Sequence, residues 1–305
     1  MLRRSFNSGL LIGGSLLAAD PRGAMAGSAS AIHDQIDFQS YVDAFNRGDF
    51  ERLGRYYADN VDFQGRAGSF HGREQVLAFY RAARPRLREK LTVLNLVRGP
   101  QNIVVDMLTE LEALEDWPDF PTGALRKGDT RRSENFIWYE IANGKFTGIR
   151  SARYPASAAE LETAAPQVLT CAGSAMTAAR FAAYIDAFNR DDYSDFGDYY
   201  DENVVLTIVG KTELRGREAI FDFYRKAKSQ AHRIIQVNRL VTTPCQIAAE
   251  LQSEFLATTD APQFTAGSMK RGDRIFINTF VLYELRQGKF ARIRSAEFRK
   301  IAHPA

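Results

Sequence analysis

The chain contains one unit twice. Residues Phe38 to Gly65 align without a gap on Phe181 to Ile208 at an offset of 143, with 13 identities in 28 positions. After a slip of one residue, Pro100 to Tyr154 aligns on Pro244 to Phe298, with 20 identities in 55. Ungapped identity at that level means duplication, and a duplicated unit must fold as one structural module. The 305 residues suit two modules of roughly 120 to 140 residues each. The expected boundaries are 27–154 and 178–305, joined by a linker at 155–177 that is rich in Ala, Ser and Thr and carries no long apolar periodicity.

Each repeat shows the same order of periods. Phe38, Tyr41, Val42 and Phe45 recur at helical spacing, as do Phe181, Tyr184, Ile185 and Phe188, and each set describes a helix with one apolar face. Asn46-Arg47-Gly48-Asp49 stops the first helix and caps a second short one through Tyr57. A short strand near 61–64 leads to a third helix from Arg73 to about Arg84, with a counterpart at Arg217 to Lys228. Strand-like segments follow at 91–98, 103–115, 130–142 and 145–154, and the last pair turns at Asn143-Gly144. Three helices followed by a meander predict an α+β domain with helices packed on one face of a curved antiparallel sheet.

The N-terminus reads as an address. Arg3 and Arg4, a short apolar run from Gly9 to Ala19, and Ala24-Met25-Ala26 have the order of a cleaved export signal over 1–26, and the apolar run is too short to span a bilayer. Paired arginines followed by Phe6 and a weakly apolar, glycine-rich run resemble a twin-arginine signal, so a periplasmic protein is expected. Loss of 1–26 removes Arg3, Arg4, Arg22 and Asp20 and lowers the net charge from +3 to +1. No basic run or face then remains to suggest nucleic acid or an anionic membrane. Cys171 and Cys245 are the only cysteines. An oxidising compartment would permit them to pair, but two cysteines make no metal site. No His/Asp/Glu spacing suggests a metal, and no phosphate loop, nucleophile elbow or dinucleotide fingerprint is present, so chemistry without a cofactor is expected.

Tyr-Val-Asp-Ala-Phe-Asn-Arg-Gly-Asp at 41–49, Tyr56-Tyr57 before Asp59-Asn60-Val61, Phe70-His71-Gly72-Arg73-Glu74 and Gly144-Lys145-Phe146 resemble the SnoaL-like branch of the nuclear transport factor 2-like superfamily. The second repeat matches at Tyr184 to Asp192, Leu214 to Glu218 and Gly288-Lys289-Phe290. The resemblance covers nearly all of 35–154 and 178–300. It implies tandem cones, each a sheet wrapped round a long helix and an apolar pocket. It also implies pairing through the sheets, which two repeats could satisfy as an internal pseudo-dimer, leaving further homo-oligomerisation open. The superfamily includes steroid isomerases, polyketide cyclases and dehydratases besides members that only bind, so fold does not settle function.

The resemblance places Tyr41, and its twin Tyr184, where a phenol donates to a substrate carbonyl. Either tyrosine could instead simply complete the apolar face of its helix. The column that holds the isomerase base carries Gly65 and Ile208, so that mechanism does not transfer. On strand 130–142, alternation puts Arg132, Glu134, Phe136, Trp138 and Glu140 on one face. The resemblance puts this set, at least through Trp138, inside the cone, with Glu134 as acid or base and Arg132 holding an anionic group. A structural ion pair or an outward-facing stripe is the alternative. Tyr57, His71, Glu112, Trp117, Phe136 and Trp138 are the further candidates for binding. Glu112 becomes Leu256, Trp117 becomes Ala261 and Asp62 becomes Val205 in the second repeat, so any chemistry is expected in the first. Arg150 and Arg294 recur opposite Glu140 and Glu284, which suggests cross-strand ion pairs. The expected function is a cofactor-free acid–base lyase or isomerase acting on a hydrophobic, aromatic or polycyclic small molecule. A non-catalytic exported binding protein or pseudo-dimeric scaffold is the rival.

Overall fold

A computed structural model describes residues 36–66, 68–167, 169, 176–208 and 212–305. The export segment at 1–26 and Cys171 lie outside the described residues. Cys245 is disulfide-bonded.

The first repeat runs α1 (Phe38–Arg47), α2 (Phe50–Arg55), β1 (Tyr57–Gly65), β2 (Gly68–His71), α3 (Arg73–Ala83), β3 (Leu87–Arg98), β4 (Asn102–Ala113), β5 (Thr130–Ala142) and β6 (Lys145–Tyr154). α4 (Ala158–Thr163) lies in the connection and buries no side chain. The second repeat follows as α5 (Ala178–Asn189), α6 (Tyr193–Gly197), β7 (Tyr200–Ile208), β8 (Thr212–Arg215), α7 (Arg217–Lys228), β9 (Ala231–Thr242), β10 (Gln246–Ala257), β11 (Arg274–Arg286) and β12 (Lys289–His303). Each repeat forms a six-stranded sheet, ordered β2-β1-β6-β5-β4-β3 and β8-β7-β12-β11-β10-β9. The pairings β1–β6 and β7–β12 are parallel and the rest antiparallel.

Local chemistry explains the boundaries. The Asp37 carboxylate accepts from the Ser40 amide at 3.1 Å and caps α1, whose far end closes on Gly48 at φ 69°. That left-handed conformation suits glycine. Asn143 and Gly144 take φ 50° and 67° in the β5–β6 hairpin, as the Asn-Gly signal requires. β3 begins at Leu87, four residues before the alternation suggests, because the charged run Arg88-Glu89-Lys90 hides its start.

Both faces of the first sheet are covered. One packs α1 and α3, with Val105, Met107, Tyr139, Phe146 and Ile149 against Phe38, Tyr41, Phe45 and Val76. The other packs on the second repeat, with Val104, Phe136, Trp138, Ala152 and Tyr154 against Val241, Ala248, Phe280, Leu282 and Ala296. The Trp138 and Phe280 rings lie 5.8 Å apart. Burying two sheet faces on each other removes apolar surface that either repeat alone would expose.

Candidate active site of the first repeat

α1, α3, β3, β5 and β6 enclose a cavity of about 210 Å³ in the first repeat. Three phenols reach it: Tyr41 from α1, Tyr80 from α3 and Tyr139 from β5. Tyr41 and Tyr57 share a hydroxyl–hydroxyl hydrogen bond of 3.1 Å, and Tyr57 stands fully buried behind. β5 supplies Arg131, Ser133, Asn135 and Ile137 to the lining. The Asn135 amide donates to Thr109 at 3.3 Å. The Arg131 guanidinium donates to the carbonyls of Thr122 (3.1 Å) and Ala124 (2.6 Å), and so ties down the β4–β5 loop, whose Phe120 and Thr122 line the cavity. Trp117 supports the same loop, packed on Phe120 at 5.0 Å beneath the Arg86 guanidinium.

Glu89 is the one carboxylate in this lining. It is half-buried on β3. Burial pushes its carboxyl up to about 7, against the partial relief that Arg84 provides. Burial also raises Tyr41, Tyr80 and Tyr139, and the Glu89 charge adds to the rise at Tyr41 and Tyr80. The phenols therefore keep their protons as donors, while Glu89 changes charge near neutrality. A proton acceptor beside buried donors is an arrangement able to move a proton and stabilise a developing oxyanion.

The SnoaL-like domain profile matches residues 38–149 and matches again over 181–293. The chain belongs to the SnoaL-like family. A search among curated proteins found no match. Solved structures of similar fold include a SnoaL-like polyketide cyclase from Agrobacterium tumefaciens str. C58, at 20% identity over 39% of this chain and 88% of that one, TM-score 0.32. An LEH-like epoxide hydrolase from M. tuberculosis matches at 13% identity over 39% and 79%, TM-score 0.32. A nuclear transport factor 2-like protein of unknown function from Burkholderia pseudomallei K96243 matches at 16% over 41% and 91%, TM-score 0.32.

Within this SnoaL-like frame the β5 alternation holds, but the face assignment is reversed. Glu134, Phe136 and Trp138 point away from the cone and into the contact between repeats. Phe136 stacks on Tyr154 at 5.1 Å, and the Trp138 indole donates to Asn102 at 2.8 Å. Arg132 lies at the cavity edge with its guanidinium 3.2 Å from Glu110. Glu112 pairs with Arg88 on the same outer face. His71 is exposed on β2, 2.9 Å from Asp62. Trp117 braces the loop and does not line the cavity. Tyr184 is buried in the second repeat and bonded to Tyr200 at 2.7 Å. Of the sequence candidates, Tyr41 alone sits squarely in the cavity, with Tyr57 one hydrogen bond behind.

Glu134 belongs to an ion cluster between the SnoaL-like repeats. Arg294 from β12 reaches Glu134 and Asp106 at 2.6 Å each and Glu284 at 3.8 Å. Burial, then the Asp106 charge, raises Glu134 to about 8, with Arg294 opposing. A second cluster forms where Arg150 meets Glu140 (2.8 Å) and Glu250 (3.6 Å), with Arg239 bridging the same two carboxylates. The expected pairs Arg150–Glu140 and Arg294–Glu284 are present, and both arginines extend across to the other repeat.

The two SnoaL-like interiors differ. Arg233 occupies the position of Glu89, because Leu111 pairs with Glu89 as Phe255 pairs with Arg233. Its guanidinium lies 5.3 Å from the Phe188 ring and 5.1 Å from the Phe255 ring. Arg131 and Ser133 become Ile275 and Ile277, both buried. Gly65 becomes Ile208; a Cβ at Gly65 would meet the Phe63 ring at 2.8 Å, so glycine leaves room for that ring in the cavity wall. The second interior carries buried Ile275 and Ile277 where the first carries Arg131 and Ser133.

Proposed function

We propose that the first repeat is a cofactor-independent acid–base enzyme, a lyase or isomerase, and that Glu89 moves the proton. Ionised Glu89 takes a proton from the substrate. Tyr41 donates a hydrogen bond to the oxygen on which charge develops, as a neutral phenol held beside Tyr57 can do. Glu89 then returns the proton to a second carbon or to a departing oxygen. The observation that carries this reading is Glu89 itself: a cavity-lining carboxyl raised to about 7 among phenols kept protonated by burial. A base poised near the working pH transfers protons most effectively. The cavity of about 210 Å³ is smaller than the pockets of roughly 300–1,000 Å³ that hold drug-sized ligands. It suits a substrate of one or two rings better than a polycyclic one. The replacement of Glu89, Arg131 and Ser133 by Arg233, Ile275 and Ile277 supports a scaffolding role for the second repeat.

The test is turnover of one- and two-ring enolisable ketones and β-hydroxy carbonyl compounds by the wild type, Glu89→Gln and Tyr41→Phe. Glu89→Gln is expected to lose about 10²–10⁴-fold in kcat and to lose the limb of the pH profile near 7. Unchanged turnover in Glu89→Gln overturns the assignment.

We also infer that residues 1–26 direct export. The disulfide at Cys245 supports it, since such bonds persist in oxidising compartments and are rare in the cytosol.

A further inference from the structure

The mouth of the first-repeat cavity opens into a groove of about 430 Å³, and the two share Gly65, Arg66, Ser151 and Arg153. Glu297 and Phe298 of the second repeat form the far side of that groove. The arginines around this opening fall into two groups. Arg131 is spent on loop carbonyls, Arg132 on Glu110, and Arg150 on Glu140 and Glu250. Arg66 and Arg153 have no ion pair or hydrogen bond among the described residues. They are also close enough that Arg153, after partial desolvation, disfavours the charge on Arg66.

Arg66 and Arg153 both line this mouth and are both exposed, so water screens part of their mutual repulsion, and no carboxylate among the described residues neutralises either of them. An oxyanion between them would relieve that repulsion, and the guanidinium fork matches a carboxylate in two parallel hydrogen bonds. Glu297 stands across the groove without an ion pair to either arginine, so it leaves both free and bounds the space on the second-repeat side. Glu297 is also the counterpart of Arg153 in the duplicated sequence, so the pair belongs to the repeat that has the cavity.

We propose that the ligand of this site is an aromatic carboxylate, its ring in the cavity and its carboxylate docked between Arg66 and Arg153. This inference rests on the cavity being a ligand site, as the proposed function requires. It adds the charge class of the substrate and assigns Arg66 and Arg153 to binding. Arg132, held by Glu110, does not take that part.

The probes are 2-naphthoate and its neutral isostere 2-naphthamide, titrated calorimetrically into the full chain at pH 7.5 and low salt. The wild type is expected to bind 2-naphthoate about tenfold more tightly than 2-naphthamide, a preference set by two exposed charge contacts. The Arg66→Gln/Arg153→Gln double variant is expected to lose that preference, with its 2-naphthamide affinity and thermal midpoint unchanged. Equal affinity of the wild type for the two probes, or a preference that survives the double substitution, overturns the carboxylate assignment while leaving the cavity as a binding site. Failure of both probes to bind overturns the assignment together with the reading it rests on.

Discussion

Arg294→Met removes the one guanidinium that three carboxylates share between the repeats. Arg294 is 4% exposed, and its partners Asp106 and Glu134 are 1% and 4% exposed. At 2.6 Å to each, the guanidinium offsets the desolvation of both. Methionine fills most of the volume but leaves the carboxylates facing one another without a cation. Breaking a buried pair in this way costs about 3–5 kcal/mol. In a folded unit of this size that is a fall in the thermal midpoint of about 10 °C. The pH dependence follows from the raised carboxyl. With Glu134 raised to about 8, the folded protein keeps a proton that the unfolded chain releases above about pH 4.5. Stability therefore falls with rising pH across that window, by about 1.4 kcal/mol per unit for one proton. Removing Arg294 takes away the charge that opposes the rise and extends the window upward. The deficit of the variant is thus expected to be level between about pH 4.5 and 8, where both folded proteins hold the Glu134 proton, and to grow above pH 8, where only the wild type releases it. Arg150→Met is the internal comparison: Arg150 is half-buried, and Arg239 remains to hold Glu140 and Glu250, so about 1–2 kcal/mol is expected. Chemical denaturation of both variants from pH 4.5 to 9.5 measures these quantities. A loss below about 1 kcal/mol for Arg294→Met at pH 8, or a deficit that does not grow above pH 8, would refute the argument that the repeats are locked by a desolvated ion cluster.

Glu89, raised to about 7, costs the folded state nothing below about pH 4.5 and a growing amount as pH rises towards 7. Glu89→Gln is therefore expected to be neutral at pH 4.5 and stabilising by about 1–3 kcal/mol at pH 8, a range discounted for its partial exposure; a flat difference across this range means that the carboxyl is not perturbed. If 1–26 is an export signal, the full chain expressed in a bacterium is recovered from the periplasm with a mature N-terminus near Gly27, and Arg3→Lys/Arg4→Lys retains it in the cytoplasm; recovery of the uncleaved chain inside the cell refutes the assignment.

For β5, the period of two sorted residues 130–142 into the right two sets, but not by which set faced the helices. Its cone face carries Arg131, Ser133 and Asn135 around a cavity, and its other face carries Phe136 and Trp138 against a second sheet. When both faces of a strand are covered, the contrast between apolar-in and polar-out disappears. The apolar face then marked the contact between repeats, and the polar one marked the site. For β3, Glu89 sits between Arg88 and Lys90 in a run that reads as solvated surface. The offset is already 144 at Arg73, which aligns with Arg217, so the exchange of Glu89 for Arg233 was readable in the sequence, but nothing local marked that position as lining a cavity.

The duplication, the order of helices and strands, the Asn-Gly hairpin and the family were all determined by local pattern, because capping, turn chemistry and periodicity act within a few residues. The inside of the cone, the pairing of Arg294 with Glu134 across 160 positions, the lack of an ion pair for Arg66 and Arg153 among the described residues, and the raised carboxyl of Glu89 were decided only by tertiary structure. Each depends on which distant groups desolvate or neutralise a charge, and that is a property of the packed protein that no stretch of chain carries by itself.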